Sequence, residues 1–294
     1  MANEFSFATQ FSELVDEAYA ANLATADMSA ENERVRYLGG NAVSFPTVRT
    51  GGYAAHKRGG GWNRRDVKQE WETHLLTHDR DVEFLVDVMD VDETSQAVCA
   101  ANVTAAFLKE HAIKEMDCFR FQKLYKAYTA LGETVKTEAL TAANILTVFD
   151  EMMAQMTENQ VPKEGRVLYV TPKVMTLLKN AGGVVRHVSA QAQSGIIDRT
   201  VTMLDDVKLV EGPAARMLSD YDFTDGCEPE SGAVQMNMVL LHPEAVVAPV
   251  KHSAINLFAP GEHTQGDGYL YQNRMYTDLF LFKNKRKGVS IHAV

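Results

Sequence analysis

The stretch Lys57-Arg58-Gly59-Gly60-Gly61-Trp62-Asn63-Arg64-Arg65 puts four cations, three glycines and an indole into nine residues. Bare glycine backbone beside cations can cradle a phosphate, and arginines interleaved with an aromatic ring can stack on single-stranded nucleic acid. Neither pattern is complete. A Walker loop needs GxxxxGK followed by Ser or Thr, and a dinucleotide site needs GxGxxG between a strand and a helix; GGGWNRR matches neither and leads into a β-type segment. RGG-type RNA binding uses repeated copies, and here there is one. The stretch reads first as a flexible charged loop, with nucleic-acid binding through residues 57–65 as the competing reading.

Other residues capable of chemistry fall short in the same way. His74 and His78 are four apart but lack the intervening Glu of a zincin, and on a strand and turn that spacing does not bring side chains together. Asp87, Asp90, Asp92 and Glu93 resemble a calcium loop without its glycine or its distant glutamate, so they read as acids capping a helix. Cys99, Cys118 and Cys227 contain no CxxC pair and read as small buried hydrophobes. No GxSxG, Cys-His or kinase signature is present, so neither catalysis nor a cofactor or metal is expected.

Composition narrows the partners. Residues 49–68 carry six Lys or Arg against Asp66, a local +5, which leaves −15 on the remainder of a chain whose net charge is −10. Tight binding to a polyanion needs a broad basic face, so contact with nucleic acid should be local and weak. No apolar run approaches the roughly 20 residues of a membrane span, and the N-terminus lacks the basic start and apolar segment of a signal peptide, which predicts a cytoplasmic protein with no membrane partner. At 294 residues the chain can bury one large core or two modest ones.

The elements that must position the basic stretch follow from pattern. Phe11, Leu14, Val15 and Tyr19 fall at helical spacing in an otherwise weak arm. Residues 41–49, NAVSFPTVR, read as extended because Pro46 excludes helix. Val67, Trp71, Thr73 and Leu75 alternate with charged residues, and Val82, Phe84, Val86 and Val88 share one parity. Residues 50–90 are therefore expected to form long strands around a glycine-rich tip, and such a hairpin is unstable alone in water. Asp90 to Ser95 should cap a long strut helix with the stripe Val98, Ala101, Ala105, Leu108 and Ala112. A second helix is expected from about Thr137 to Glu158, and a strand Arg166–Val170 runs into a helix capped by Thr171 with Pro172 in its first turn, ended by Gly182-Gly183. Apolar β-type runs at Ala245–Val250, Ala254–Phe258 and Met275–Phe282 close the chain.

In that order these features resemble the major capsid proteins of tailed phages with the Hong Kong 97-like fold. WETHLLTHDR (71–80), FLVD (84–87) and MDVDET (89–94) look like the descending strand of that family's E-loop running into its spine helix. EMDCFRFQKL (115–124) is similar to the pattern after the spine helix, with Lys114 where relatives often have proline. RVLYVTP (166–172), VKLVEGPAARM (207–217), RMYTDLFLF (274–282) and KGVSI (287–291) resemble the A-domain and the closing strands.

The resemblance implies an α+β fold with an N-terminal arm at 1–48, an E-loop at 49–90, a P-domain at 91–132 and 249–285 with its spine helix at about 92–112, and an A-domain at 133–248 and 286–294. It implies a structural protein of the virion, present in the host cytoplasm during assembly, that forms hexamers and pentamers around double-stranded DNA with a portal and a separate scaffolding protein. Through the E-loop, Lys57, Arg58, Trp62, Arg64, Arg65 and Lys68 would contact neighbouring copies, and Val98, Ala101, Ala105 and Leu108 would pack the spine helix. An encapsulin-type compartment is an alternative of the same fold.

Overall fold

The computed structural model of the chain describes residues 23–29, 35–39, 41–56, 58, 60, 62–89, 100–181 and 201–294. The arm helix expected around Phe11 to Tyr19, the capping residues Asp90 to Ser95 and the Gly182-Gly183 stop lie outside the described residues.

The core is built on a five-stranded mixed sheet in the order β15 (Val289–Ala293), β10 (Met236–Leu241), β5 (Val167–Val170), β7 (Val207–Glu211) and β6 (Met203–Leu204). β5 runs parallel to β7 and antiparallel to β10. Both faces are covered, which is why β5 and β10 read as continuous apolar runs rather than as alternation. Leu168, Val170, Met238 and Leu240 face two helices, α3 (Ile145–Glu158) and α4 (Pro172–Asn180), through Val148, Phe149, Met152, Val174 and Leu178. Val167, Tyr169, Val239 and Leu241 face the opposite way, onto Phe121, Leu124, Tyr128 and Met28.

One helix boundary and one helix cap differ from expectation. α3 begins at Ile145 rather than near Thr137, because Asn144 Oδ1 accepts bonds from the Thr141 amide (2.7 Å) and hydroxyl (3.0 Å), which holds a local turn in competition with helix. α4 starts after Thr171 as the Thr-Pro pair predicts, but Thr171 makes no side-chain cap; its carbonyl accepts from Met175 N at 2.9 Å, and its buried Oγ1 has no partner.

Helix α1 (Ala100–Phe107) passes through one π-helical turn, Leu108–Ala112, into α2 (Ile113–Ala130). The strut helix expected to about 112 does not stop there: it passes through one wide turn and, with Lys114 where relatives often have proline, continues as helix. α2 is buried on nearly all sides, including Asp117, Arg120 and Gln122.

Asp117 accepts from the amides of Ala24 (3.3 Å) and Thr25 (3.1 Å), the Thr25 hydroxyl (2.8 Å) and Arg216 (3.1 Å). Arg120 donates to the Thr25 carbonyl at 2.9 Å. Residues 24–29 of the arm are thereby seated in the core, with Met28 fully buried.

Three antiparallel strands, β12 (Val250–Phe258), β13 (Gly268–Thr277) and β4 (His78–Asp87), form a second sheet in that order. A third sheet joins β1 (Arg36–Gly39), β2 (Ala42–Thr50) and β3 (Val67–Leu75). The strands expected within 50–90 thus separate: β3 pairs back onto β2, whereas β4 leaves to pair with β13.

Candidate interface between copies

The β2–β3 hairpin has a root and an overhang. At its root Val43, Phe45 and Leu76 are buried against Val247, and Phe45 packs at 5.5 Å from Phe280 and 5.4 Å from Phe282, ring to ring. Polar bonds fix the same point. The fully buried Asp278 carboxylate accepts from Thr77 N (2.9 Å), Thr77 Oγ1 (2.8 Å) and Leu279 N (2.7 Å) and pairs with Lys123 at 3.1 Å. Leu76 donates to the Asn41 carbonyl, and Tyr276 donates its hydroxyl proton to the Leu76 carbonyl. The two histidines serve this region as packing: His74 lies 4.9 Å from the Phe280 ring, and His78 stacks on Phe119 at 3.8 Å while facing Glu115 at 3.4 Å.

Beyond the root the hairpin is bare. Register puts Leu75 opposite Ala42, Trp71 opposite Pro46 and Val67 opposite Thr50, so these residues share the outer face with Val48. Val48, Val67 and Leu75 are each more than half exposed, and Trp71 is 47% exposed with the Arg36 guanidinium 5.6 Å above its ring. Sequence alternation located these apolar residues correctly, but the burial runs the other way in the single chain: Glu72 and His74 are the half-buried side of β3. The reason is the partner face, since Val43 and Phe45 of β2 lie on the side of Glu72 and His74 and reach the core first.

On that inner side the ladder places Arg49 directly opposite Lys68, and both are exposed. Like charges directly opposite across a ladder are destabilising. At the tip, Arg58, Trp62, Arg64 and Arg65 are exposed, Trp62 at 95%, while Gly51 N donates to the Asp66 carbonyl at 3.2 Å and closes the neck. A Cβ on Gly51 would meet the Arg65 side chain at 3.3 Å, so glycine lets that chain fold back. None of the ion pairs among the described residues uses Arg58, Arg64, Arg65 or Lys68. Lys57 lies outside the described residues.

Of the helix stripe, Val98 lies outside the described residues and Ala101 falls in the first turn of α1. Leu108 is buried, whereas Ala105 is exposed and Thr104 takes the inward position. Phe107 sets this rotation, with its ring 5.5 Å from Phe84 of β4 and 6.4 Å from Tyr271 of β13. Sequence reasoning also missed the Asp278 anchor, whose side-chain partners Thr77 and Lys123 lie 201 and 155 residues away and leave no local signal.

Among the described residues no three His, Cys, Asp or Glu are placed to hold a metal, and no described helix is long and apolar enough to cross a membrane.

No family model and no curated protein matches this chain. Solved structures do. The asymmetric unit of the bacteriophage PhiM1 mature capsid is similar at 17% identity and TM-score 0.63, over 86% of this chain and 82% of that one. The capsid of cyanophage P-SCSP1u is similar at 14% identity and TM-score 0.62, over 87% and 84%. A structure from Mycobacterium phage Che8 is similar at 16% identity and TM-score 0.57, over 86% and 85%. The chain is α+β and has the fold of phage capsid chains, the Hong Kong 97-like fold.

Proposed function

We propose that this chain, built on the Hong Kong 97-like fold, is the major capsid protein of a tailed double-stranded DNA phage or prophage. Copies assemble as hexamers and pentamers into an icosahedral head. The observation that carries this reading is the β2–β3 hairpin, fixed at its root by Asp278 and Phe45 and bare beyond it. Its outer face offers Val48, Val67, Trp71 and Leu75, and its inner face and tip offer exposed cations. A sheet that exposes apolar residues and sets Arg49 against Lys68 gains most when another copy covers it with apolar and acidic surface. A closed symmetric shell satisfies every such contact at once.

On this reading residues 1–48 are the arm and 49–90 the E-loop, with β4 lending its length to the P-domain sheet. The P-domain takes 91–132 and 249–285, and the A-domain takes 133–248 and 286–294. The partners are further copies, a portal, a separate scaffolding protein and packaged DNA held by weak contacts, consistent with a net charge of −10. The protein resides in the virion and, during assembly, in the host cytoplasm.

The test is electron microscopy of the purified protein beside a variant carrying R58E, R64E and R65E. Wild type should form closed shells of uniform diameter, and the variant should stay as small oligomers with an unchanged circular-dichroism spectrum. A wild type that remains monomeric while binding single-stranded DNA through these arginines would overturn the reading. Nucleic acid rather than protein cargo inside native particles separates a phage head from a cargo compartment of the same fold.

A further inference from the structure

Cys118 of α2 and Cys227, which precedes β9 (Glu228–Pro229), are both buried and form one small apolar cluster with Tyr221. Tyr221 opens β8 (Tyr221–Asp222), which pairs with β9 and suspends residues 223–227 against α2. Two bonds clamp this loop beside the thiols: Gln122 of α2 donates to Asp220, and Arg80 donates to the Phe223 carbonyl at 2.6 Å. The Tyr221 hydroxyl accepts from Leu218 N and donates to the Ala215 carbonyl, both at 2.9 Å. The two cysteines thus share one buried cluster held by structure on either side, and both are free.

From this cluster we infer that Cys118 and Cys227 form an oxidation site, a dithiol that a hydroperoxide converts into a disulfide joining α2 to the β8–β9 hairpin. Cys118 is the attacking group. The neighbouring Cys227 thiol, outweighing burial, holds the Cys118 thiol below the usual cysteine range. The Cys227 thiol is pushed well above that range, first by its bond to Cys118 and then by burial. An acidified thiol beside a second thiol pairs an attacking sulfur with one that can resolve its sulfenic acid, and Cys227, at 7% exposure, lies nearer the surface than Cys118.

The steps balance. The Cys118 thiolate attacks one peroxide oxygen, the O–O bond breaks, and hydrogen peroxide leaves hydroxide and a sulfenic acid. The Cys227 sulfur then attacks the sulfenic sulfur, and its proton departs with the sulfenic oxygen as water. Two thiols are oxidised and one peroxide is reduced to two waters. The chemistry stands without the capsid reading; only its timing rests on that reading, with assembly in a reducing cytoplasm and closure after release.

The experiment uses the full chain, purified reduced, exposed to hydrogen peroxide, denatured and alkylated with N-ethylmaleimide. Intact mass should show loss of two adducts from the chain's three cysteines, restored by dithiothreitol, with Cys118 and Cys227 in one cross-linked peptide. C227A should accumulate a dimedone-reactive sulfenic acid on Cys118, whereas C118A should form none on Cys227. Retention of all three adducts, linkage through Cys99, or over-oxidation of Cys118 in place of a disulfide would each overturn the proposal. Particles alkylated inside cells should carry every thiol reduced; a disulfide already closed there would overturn the timing alone.

Discussion

Glu115 is where a single titration touches the fold. Its carboxylate accepts from Arg80 Nε at 2.6 Å and faces His78 at 3.4 Å, bridging β4 to α2. Burial pushes its pKa up, but the bond to His78 and the charge and bond of Arg80 outweigh burial and hold it below the usual glutamate range. A depressed folded pKa means that the native state binds fewer protons than the unfolded chain. The stabilisation is therefore present above the unfolded value of about 4.3 and is lost as pH falls through the lower folded value. E115Q should flatten this acid limb: as pH falls below about 4.3 the urea midpoint of wild type should drop more steeply than that of the variant, with equal slopes near pH 7. Parallel limbs would refute the assignment. Asp117, two residues on, is a fully buried carboxylate whose partners Thr25 and Arg216 come from distant parts of the chain. Nothing local in the sequence marks it, because residues 92 and 99 positions away supply its partners.

Elements were legible where burial is one-sided. β4 keeps Val82, Phe84 and Val86 inward and Glu83 and Asp87 outward, as its alternation predicted, because one face lies on the protein and one in water. β5 and its Thr-Pro junction were legible as a buried strand meeting a helix. α2 was not legible as part of a long helix, since it is enclosed on nearly all sides and carries no clear amphipathic stripe. The pairing of β4 was also hidden: β3 and β4 are separated by Leu76 and Thr77 alone, which suggests a hairpin, yet Asp278 captures Thr77 and turns the chain away toward β13. At the start of β13 the approach is closest, where a Cβ on Gly268 would sit 2.4 Å from the Val86 carbonyl oxygen and 2.9 Å from its carbon. Backbone cannot yield as a side-chain tip does, so G268A should destabilise the protein by about 2–3 kcal/mol, read as a lower urea midpoint at unchanged m. Hydrogen exchange should localise the loss to 78–87 and 268–277. A change under about 0.5 kcal/mol would mean that the ladder opens there without cost.

At the scale of the whole molecule, the proposed assembly brings together two electrostatic effects of opposite sign. Each copy carries −10, so copies repel at distances of tens of ångströms, while the +5 segment at 49–68 attracts acidic surface only at contact. Salt separates them, because screening over about 8 Å at 0.15 M removes the long-range repulsion before it weakens a close pair. Assembly followed by light scattering should therefore quicken between about 0.02 and 0.15 M salt and slow again toward 1 M, where the screening length is about 3 Å. The apolar outer face behaves differently, since its contribution does not fade with salt. V67D and V48D place a carboxylate on that face at positions more than half exposed in the single chain, so the thermal midpoint of each monomer should move by no more than about 2 °C. Both variants should nevertheless fail to assemble at every salt concentration, because no ionic condition restores the lost apolar burial. Variants that still close shells would show that another copy leaves the face of Val48 and Val67 uncovered, and would shift the contact to the cations of the tip.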